Sequence, residues 1–161
     1  MGSDTPPSPS QELPVEELRE VSRKLVRELG FMRPTLANTG LGASAVHSVI
    51  EIGRTPGIQA RDLANILRLD KSNMSRQLAK LEAARLVRRE SAIDDARSYC
   101  LYLTDAGQAL RGEIDRFSTH QVSLALSKLA PADRRSLIRC LSLYVEALNQ
   151  GNEDNPKRRE P

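Results

Sequence analysis

Apolar residues recur at helical spacing through most of this sequence. The first stretch with this spacing begins at Pro14, and its apolar positions are Leu18, Val21, Leu25, Leu29 and Met32. Residues three and four apart lie on one face of a helix, so the stretch predicts a long amphipathic helix. Pro34 should end or kink it near Arg33, because proline removes a backbone donor and disfavours helix at the residue before it.

The segment from residue 43 to residue 104 combines three short helices with two strands. The predicted helices cover about residues 43–52, 59–67 and 71–84. We expect their apolar side chains to form one core, made of Val46, Val49, Ile50, Leu63, Ile66, Leu67, Met74, Leu78 and Leu81. Alternation then predicts antiparallel strands at 86–90 and 98–103, with Tyr99, Leu101 and Leu103 on one face. This order indicates a helix-turn-helix followed by a β-wing.

Two more long helices are predicted after the wing. Thr104 suits the N-cap of a fifth helix that reaches about Lys128, and Pro131 suits the first turn of a sixth that reaches about Asn149. The apolar stripes of the segments at 14–36 and 104–149 exceed what the winged core can bury, so we expect a second copy of the chain to cover them. The predicted fold is mainly α with a small β-wing and long terminal dimerisation helices. Residues 13–149 form one domain, between polar tails at 1–12 and 150–161 that we expect to be disordered.

Composition agrees with a helical protein and limits its surroundings. Of 161 residues, 39% are hydrophobic and only 3% aromatic, with a net charge of +3 and a pI near 9.1. The charge permits nucleic-acid binding without proving it. We find no apolar run long enough for a bilayer, and two cysteines are too few for a disulfide scaffold or a zinc site. These features favour a cytoplasmic protein without membrane, metal or cofactor.

The polar side chains of the predicted fourth helix suit DNA. They lie off the apolar stripe, and they are Ser72, Asn73, Ser75, Arg76, Gln77 and Lys80. Arginine and lysine bond guanine or phosphate, and asparagine and glutamine can pair with adenine. Asp70 is a good N-cap candidate ahead of Lys71. Arg61 of the third helix and Lys71 are placed to reach phosphate. This helix is therefore the predicted recognition helix.

The sequence resembles the MarR family of transcription regulators. The run LDKSNMSRQLAKLEAARLV follows that family's recognition-helix pattern, (K/S)S(T/N)(V/M)(S/T)RxLxxLExxGLV. The family's wing pattern, DxRxxxxxLTxxG, is matched by Asp95, Arg97, Leu103, Thr104 and Gly107. Two departures stand out. Gln59 replaces the usual Ser or Thr cap before the third helix, and Ala84-Arg85 replaces the usual turn glycine after the fourth.

The resemblance implies a homodimer that binds double-stranded DNA at a pseudo-palindromic operator, as a ligand-responsive repressor. It also implies that Arg97 enters the minor groove, with Asp95 beside it. Alternatively, Arg97 only shapes the hairpin through an ion pair with Asp94 or Asp95. Ser72 and Ser75 could likewise be ordinary residues of a helix N-terminus.

A small effector is a further implication of the resemblance. Related proteins bind aromatic or anionic ligands near the dimer interface, and Arg33 and His47 could border that space. His47 could equally be a structural or simply exposed histidine. Some members of the family sense peroxides through a cysteine of the first helix, which this sequence lacks. We therefore interpret Cys100 and Cys140 as unreactive.

No catalytic motif survives inspection, so we predict that the protein is not an enzyme. LGFMRPTLANTGL together with DKSNMSRQL also resembles the regulator half of MarR-type proteins fused to an acetyltransferase. On that alternative the chain is a regulatory or adaptor module that works through protein partners, and we expect no room for the acetyltransferase fold after the sixth helix. The polar and basic recognition face argues against a pure adaptor.

Overall fold

The computed structural model describes residues 13–91 and 99–153. In chain order the elements are α1 (Val15–Glu28), α2 (Ala43–Arg54), β1 (Ile58–Gln59), α3 (Ala60–Leu67), α4 (Lys71–Ala83), β2 (Val87–Ser91), β3 (Tyr99–Leu103), α5 (Asp105–Ser127) and α6 (Pro131–Glu153). The predicted fold class, mainly α with a small β-wing, is confirmed. α6 continues to Glu153, beyond the predicted end at Asn149.

The wing is a three-stranded antiparallel sheet in the order β1-β3-β2. Ile58 pairs with Leu101, and Val87 pairs with Leu103. These four side chains are buried, so one face of the sheet belongs to the core. Tyr99 was expected on that face, but it is 46% exposed, because it pairs with Ser91 at the outer end of β2.

One hydrophobic core joins the sheet to α2, α3, α4 and the start of α5. Its buried members are Val46, Val49, Ile52, Ile58, Leu63, Met74, Leu78, Leu81, Val87, Leu101, Leu103 and Ile114. Ile66 does not belong to it. This side chain was predicted to be buried but is 52% exposed, because α3 packs through Leu63 and Leu67, which lie one turn apart on another side of the helix.

The first helix ends earlier than predicted, and a glycine is the reason. Gly30 has φ +86°, its N–H donates to the carbonyl of Arg27, and the N–H of Phe31 donates to that of Val26. This pair of bonds is a Schellman motif, which terminates a helix where glycine can adopt the left-handed conformation. The prediction that α1 continues to about Arg33 was therefore wrong, and Met32 lies outside the helix.

Two predicted N-caps are confirmed. The Asp70 carboxylate accepts a bond of 2.8 Å from the N–H of Asn73, and Thr104 Oγ1 accepts one of 3.1 Å from the N–H of Gly107. The side chain of Gln59, at the N-cap of α3, makes no capping bond. The N-termini of α4 and α5 are therefore capped by side chains, whereas that of α3 is not.

The long helices at the two ends of the described chain leave their apolar side chains uncovered. No residue of α1 is buried, and none is buried among residues 131–152 of α6. The exposed apolar residues of these two helices are Val15, Leu18, Val21, Leu25, Val26, Leu137, Ile138, Leu141, Leu143, Val145 and Leu148. None of the helices in the described ranges is long and apolar enough to cross a membrane.

Candidate nucleic-acid interface

The outer face of α4 is polar, basic and open to solvent. Met74, Leu78 and Leu81 point into the core, as the pattern predicted. The remaining side chains that were predicted to contact DNA stay exposed, with one exception described below. The exposed ones are Lys71, Ser72, Asn73, Ser75, Arg76 and Lys80. The helix therefore presents a continuous surface of hydrogen-bonding groups and two kinds of cation.

Three side chains on this face are joined in a row. Asn73 donates from Nδ2 to Oδ2 of Asp70, and Arg76 donates from Nη2 to Oδ1 of Asn73 at 2.6 Å. Asp70 also accepts the backbone N–H of Asn73, and this bond is the main reason why the pKa of its carboxyl group lies below the ordinary value. A carboxylate that accepts several hydrogen bonds favours its charged form. Asp70 is thus held as an anion at the start of the helix.

Gln77 is the exception on α4, the predicted recognition helix. Its Nε2 donates to the Ser44 carbonyl at 2.7 Å and to Ser48 Oγ at 2.6 Å. Both N–H groups of the amide are therefore turned toward α2. The helical pattern placed Gln77 off the apolar stripe but did not show that the N-terminal part of α2 passes beside it. For Gln77 to donate to a base, these two bonds would have to break.

Arg61 of α3, which was predicted to contact a DNA phosphate, lies at the edge of a cavity. Arg61 is exposed, with Nε 3.6 Å from Oδ1 of its neighbour Asp62. A cavity of about 500 Å³ lies between α3, α4 and β2, and Arg61, Lys71 and Arg89 line it together with Ala64, Met74 and Leu78. This cavity combines an apolar floor with basic side chains at its rim.

The two arginines of β2 have carboxylate and aromatic neighbours that the sequence did not reveal. Arg88 pairs with Glu90 and lies 4.8 Å from the centre of the Tyr102 ring. Arg89 pairs with Glu82 of α4 at 2.8 Å, and its guanidinium lies 6.0 Å from the centre of the Tyr99 ring. Arginine over an aromatic face is a favourable arrangement. Part of the basic charge near the wing is therefore compensated within the protein.

A compact junction ties the end of α4 to the start of α5. Thr104 donates from its backbone N–H to the Leu86 carbonyl at 3.1 Å and from Oγ1 to the Arg85 carbonyl at 2.6 Å. Arg85 has φ +57° and lies where the family has its turn glycine. The junction positions α4 and the wing relative to the long helix α5.

Two other arginines connect helices outside the recognition face. Arg68, in the turn before α4, donates from Nη2 to Oδ1 of Asn149 in α6 at 3.1 Å. Arg111 of α5 donates from Nη1 to the Gly53 carbonyl of α2 at 2.7 Å. Neither contact could be predicted from the local sequence, because the two residues of each pair are distant in sequence.

The predicted effector residues lie on α2 and in the loop after α1. His47 stacks on Phe31, with ring centroids 5.6 Å apart, and Arg33 is exposed in the loop after α1. Neither residue lines the cavity beside α3. Cys100 is half-buried and Cys140 exposed, and both are free thiols. No group of His, Cys, Asp and Glu within residues 13–91 and 99–153 is arranged to hold a metal ion.

The tip of the wing lies outside the described residues. Asp94, Asp95 and Arg97, for which a minor-groove contact or an ion pair was predicted, belong to residues 92–98. Residues 1–12, and residues 154–161 of the predicted tail at 150–161, also lie outside the described residues, whereas residues 150–153 belong to α6.

A helix-turn-helix with a three-stranded wing, whose second helix exposes serine, asparagine, arginine and lysine, defines a protein of the DNA-binding winged-helix class. Residues 39–98 match the MarR family. A crystal structure of MarR is 27% identical, with a TM-score of 0.67 over 89% of this chain and 97% of that one. Over residues 39–98 the chain is thus similar to the MarR family of transcription regulators, and its fold matches that of MarR over most of its length.

Two further relatives extend the comparison. A protein assigned as transcriptional regulator of the hcr operon in Thauera aromatica is 26% identical over 108 residues, which cover 67% of this chain and 65% of that protein. The match thus spans less than two thirds of that relative's length. Streptococcus pneumoniae FabT, solved in complex with DNA, has the same fold, with a TM-score of 0.70 at 18% identity over 84% of this chain and 95% of FabT.

Proposed function

We propose that this protein is a homodimeric repressor that binds a pseudo-palindromic DNA operator and releases it when a small effector binds. The observation that supports DNA recognition most strongly is the outer face of α4. Its polar and basic side chains are exposed while its apolar side chains hold the helix in the core. A helix presented in this way fits the major groove.

The proposed contacts divide into base readout and phosphate binding. Arg76 reads guanine, and Lys71, Ser72, Ser75, Lys80 and Arg61 neutralise or bond phosphates around it. Phosphate contacts supply affinity that falls as salt concentration rises. Arg97, with Asp95 beside it, remains our proposal for the minor groove. Gln77 stabilises the position of α4 against α2, because its amide donates hydrogen bonds to α2.

Dimerisation is supported by the uncovered apolar faces of α1 and α6. Leu18, Val21 and Leu25 are exposed along one helix, and Leu137, Leu141 and Leu148 along the other. Burial of such faces against a second copy is the economical way to remove them from water. A two-fold dimer would present two copies of α4 to successive major grooves, about 10 bp apart, which matches a pseudo-palindromic site.

Effector control requires a ligand that binds one dimer geometry better than the other. We propose a small aromatic or anionic molecule near Arg33 and His47. The stacking of His47 on Phe31 provides an aromatic surface there, and the exposed Arg33 provides a cation. A ligand in the cavity between α3, α4 and β2 would instead compete with DNA directly, because that cavity is lined by Arg61 and Lys71.

An alternative function is that of a regulatory or adaptor module related to acetyltransferase fusions, which would act through protein partners. The exposed apolar helices are compatible with it. The basic face of α4 favours the first function, because an adaptor has no need of Arg76 and Lys80 on one surface. The family is one of regulators and not of enzymes, so we propose no catalysis.

Binding to the DNA upstream of the protein's own gene, compared with random DNA of equal length, tests the proposal. Sedimentation of the free protein and of the complex gives the stoichiometry. The proposal expects a dimer that prefers the upstream DNA. A monomer without preference between the two DNAs would contradict it and favour the adaptor.

A further inference from the structure

The side chains of Asp70, Asn73 and Arg76 form a row of hydrogen bonds that fixes how each polar group is oriented. All three are exposed at i, i+3 and i+6 on the outer face of α4 or its cap. Residues three apart on a helix are neighbours, so their side chains can bond along the helix surface. The row lies on the face that we propose to enter the major groove.

Asp70 decides which way the Asn73 amide points. Ionised carboxylate oxygens only accept hydrogen bonds, so the amide turns its Nδ2 toward Asp70. Oδ1 then faces Arg76 and accepts its Nη2 at 2.6 Å. The reversed amide would place NH₂ against the guanidinium, donor against donor. The amide has one favourable orientation.

This orientation changes what Asn73 can recognise. Pairing with adenine requires both the oxygen and the NH₂ group of asparagine to point together at the base edge. In the structure these groups point in opposite directions along the helix, one to Asp70 and one to Arg76. Arg76 donates only one of its N–H groups to Asn73, and its other N–H groups can donate to the two acceptors of a guanine.

We propose that Asn73 is a positioning residue for guanine readout by Arg76, with Asp70 fixing the amide that holds the guanidinium, and that Asn73 does not itself read adenine. This inference rests on the proposed DNA-binding function and specifies how the site discriminates bases. The row acts by restricting the rotamers of a long side chain before DNA arrives, which lowers the cost of ordering it on binding.

The experiment selects binding sequences from a randomised double-stranded DNA pool with the wild type and with Arg76→Ala, Asn73→Ala, Asp70→Asn and Asp70→Ser. Asparagine and serine both cap helices, so the two Asp70 variants keep α4 while they alter the row. Circular dichroism and thermal unfolding check that each variant is folded. Anisotropy titrations with single base-pair changes in the selected sequence then give discrimination at each position.

We expect Arg76→Ala to lower the preference for guanine over the other bases at one position of the site by about 5-fold to 100-fold. Asn73→Ala should weaken preference at that same position, by a smaller factor, and leave every other position unchanged. Both Asp70 variants should resemble Asn73→Ala. Serine at position 70 can cap the helix but has no second oxygen to accept Nδ2 of Asn73. Asparagine at position 70 presents an NH₂ group to Asn73 in place of the carboxylate oxygen. A role in helix stability alone would lower affinity equally for all sequences.

Loss of an adenine preference at a separate position in Asn73→Ala would overturn the inference and restore direct readout by Asn73. Unchanged guanine discrimination in Asn73→Ala would overturn it as well. In both outcomes the wild type still selects a sequence, so the proposed function stands. If the wild type selects no sequence from the pool, the proposed function fails and the inference falls with it.

Discussion

Gly107 of α5 lies against the main chain of Leu86, so closely that a Cβ atom on Gly107 would overlap the Leu86 carbonyl oxygen and lie 3.2 Å from Leu103 Cβ. Leu86 follows the turn that ends α4, and Gly107 lies in the first turn of α5. The same junction carries the hydrogen bonds of Thr104 to Arg85 and Leu86. The absence of a side chain at Gly107 thus permits α5 to approach the base of the wing.

We predict that Gly107→Ala lowers the free energy of unfolding by about 1–3 kcal/mol, the range of overpacked sites, because backbone atoms cannot move aside as a flexible side chain can. Urea unfolding measures it. Gly112→Ala in the same helix is the control: its Cβ would come no closer than 3.7 Å to Arg116 Nη1. This change should stabilise the helix by about 0.5–1 kcal/mol. Equal stabilisation by both substitutions would mean that the junction is not tight.

Arg85→Gly should stabilise the protein. Arg85 has φ +57°, and its N–H and that of Leu86 close α4 with bonds to Glu82 and Leu81. A residue with a Cβ is strained in this conformation, so glycine should raise the free energy of unfolding by about 0.5–1 kcal/mol. Ala84 has φ −76°, where glycine gives no relief. Thermal unfolding should therefore show a higher midpoint for Arg85→Gly and a lower one for Ala84→Gly; the reverse order would contradict the assigned geometry.

Gln77 and Ser48 should be energetically coupled. Ser48 is fully buried and receives a bond of 2.6 Å from Gln77 Nε2, which links α4 to α2. A double-mutant cycle with Gln77→Ala and Ser48→Ala should give a coupling free energy of about 0.5–1.5 kcal/mol. Gln77→Ala combined with Ser72→Ala, an exposed residue of the same helix, should be additive. If the Gln77 and Ser48 substitutions are additive too, the bond makes no contribution to stability.

Asp70 should make stability depend on pH in the acid range. Its folded-state pKa lies below the ordinary value near 3.8, mainly because its carboxylate accepts the Asn73 N–H. A lowered pKa means that the unfolded state binds protons first on acidification, so this contribution is complete above the unfolded pKa and is lost as the pH falls through the folded one. The stability advantage of the wild type over Asp70→Asn should hold at pH 7 and vanish at the lowest pH values where the protein is folded. An advantage that does not change with pH would show that the charge of Asp70 is not involved.

The sequence predicted those parts of the fold that depend on local chemistry. Asp70 and Thr104 were identified as N-caps because a cap depends on one side chain and the next three residues. The stripe of Met74, Leu78 and Leu81 was identified because a buried helix face requires apolar residues at helical spacing. The early end of α1 was missed although Gly30 gives a local signal, since Pro34 indicated a later end.

Other features depended on contacts between distant residues. Nothing in the sequence near Gln77 shows that Ser44 and Ser48 stand beside it, and nothing near Arg68 indicates Asn149. Ile66 has a helical spacing that suits the core, yet α3 packs through Leu63 instead. Which members of an apolar set are buried depends on how helices cross, and that is decided by the whole core.

Anisotropy of labelled DNA from upstream of the protein's own gene, over a salt series, tests the central claim most directly. Wild type, Arg76→Ala and Arg116→Ala are compared, and each substitution removes one exposed positive charge, from α4 in the first and α5 in the second. We predict that the wild type prefers this DNA over random sequence, that Arg76→Ala loses about 5-fold to 100-fold of that preference, and that Arg116→Ala keeps it. No preference in the wild type, with equal binding by all three proteins at every salt concentration, would contradict the assignment of α4 as the DNA-reading helix.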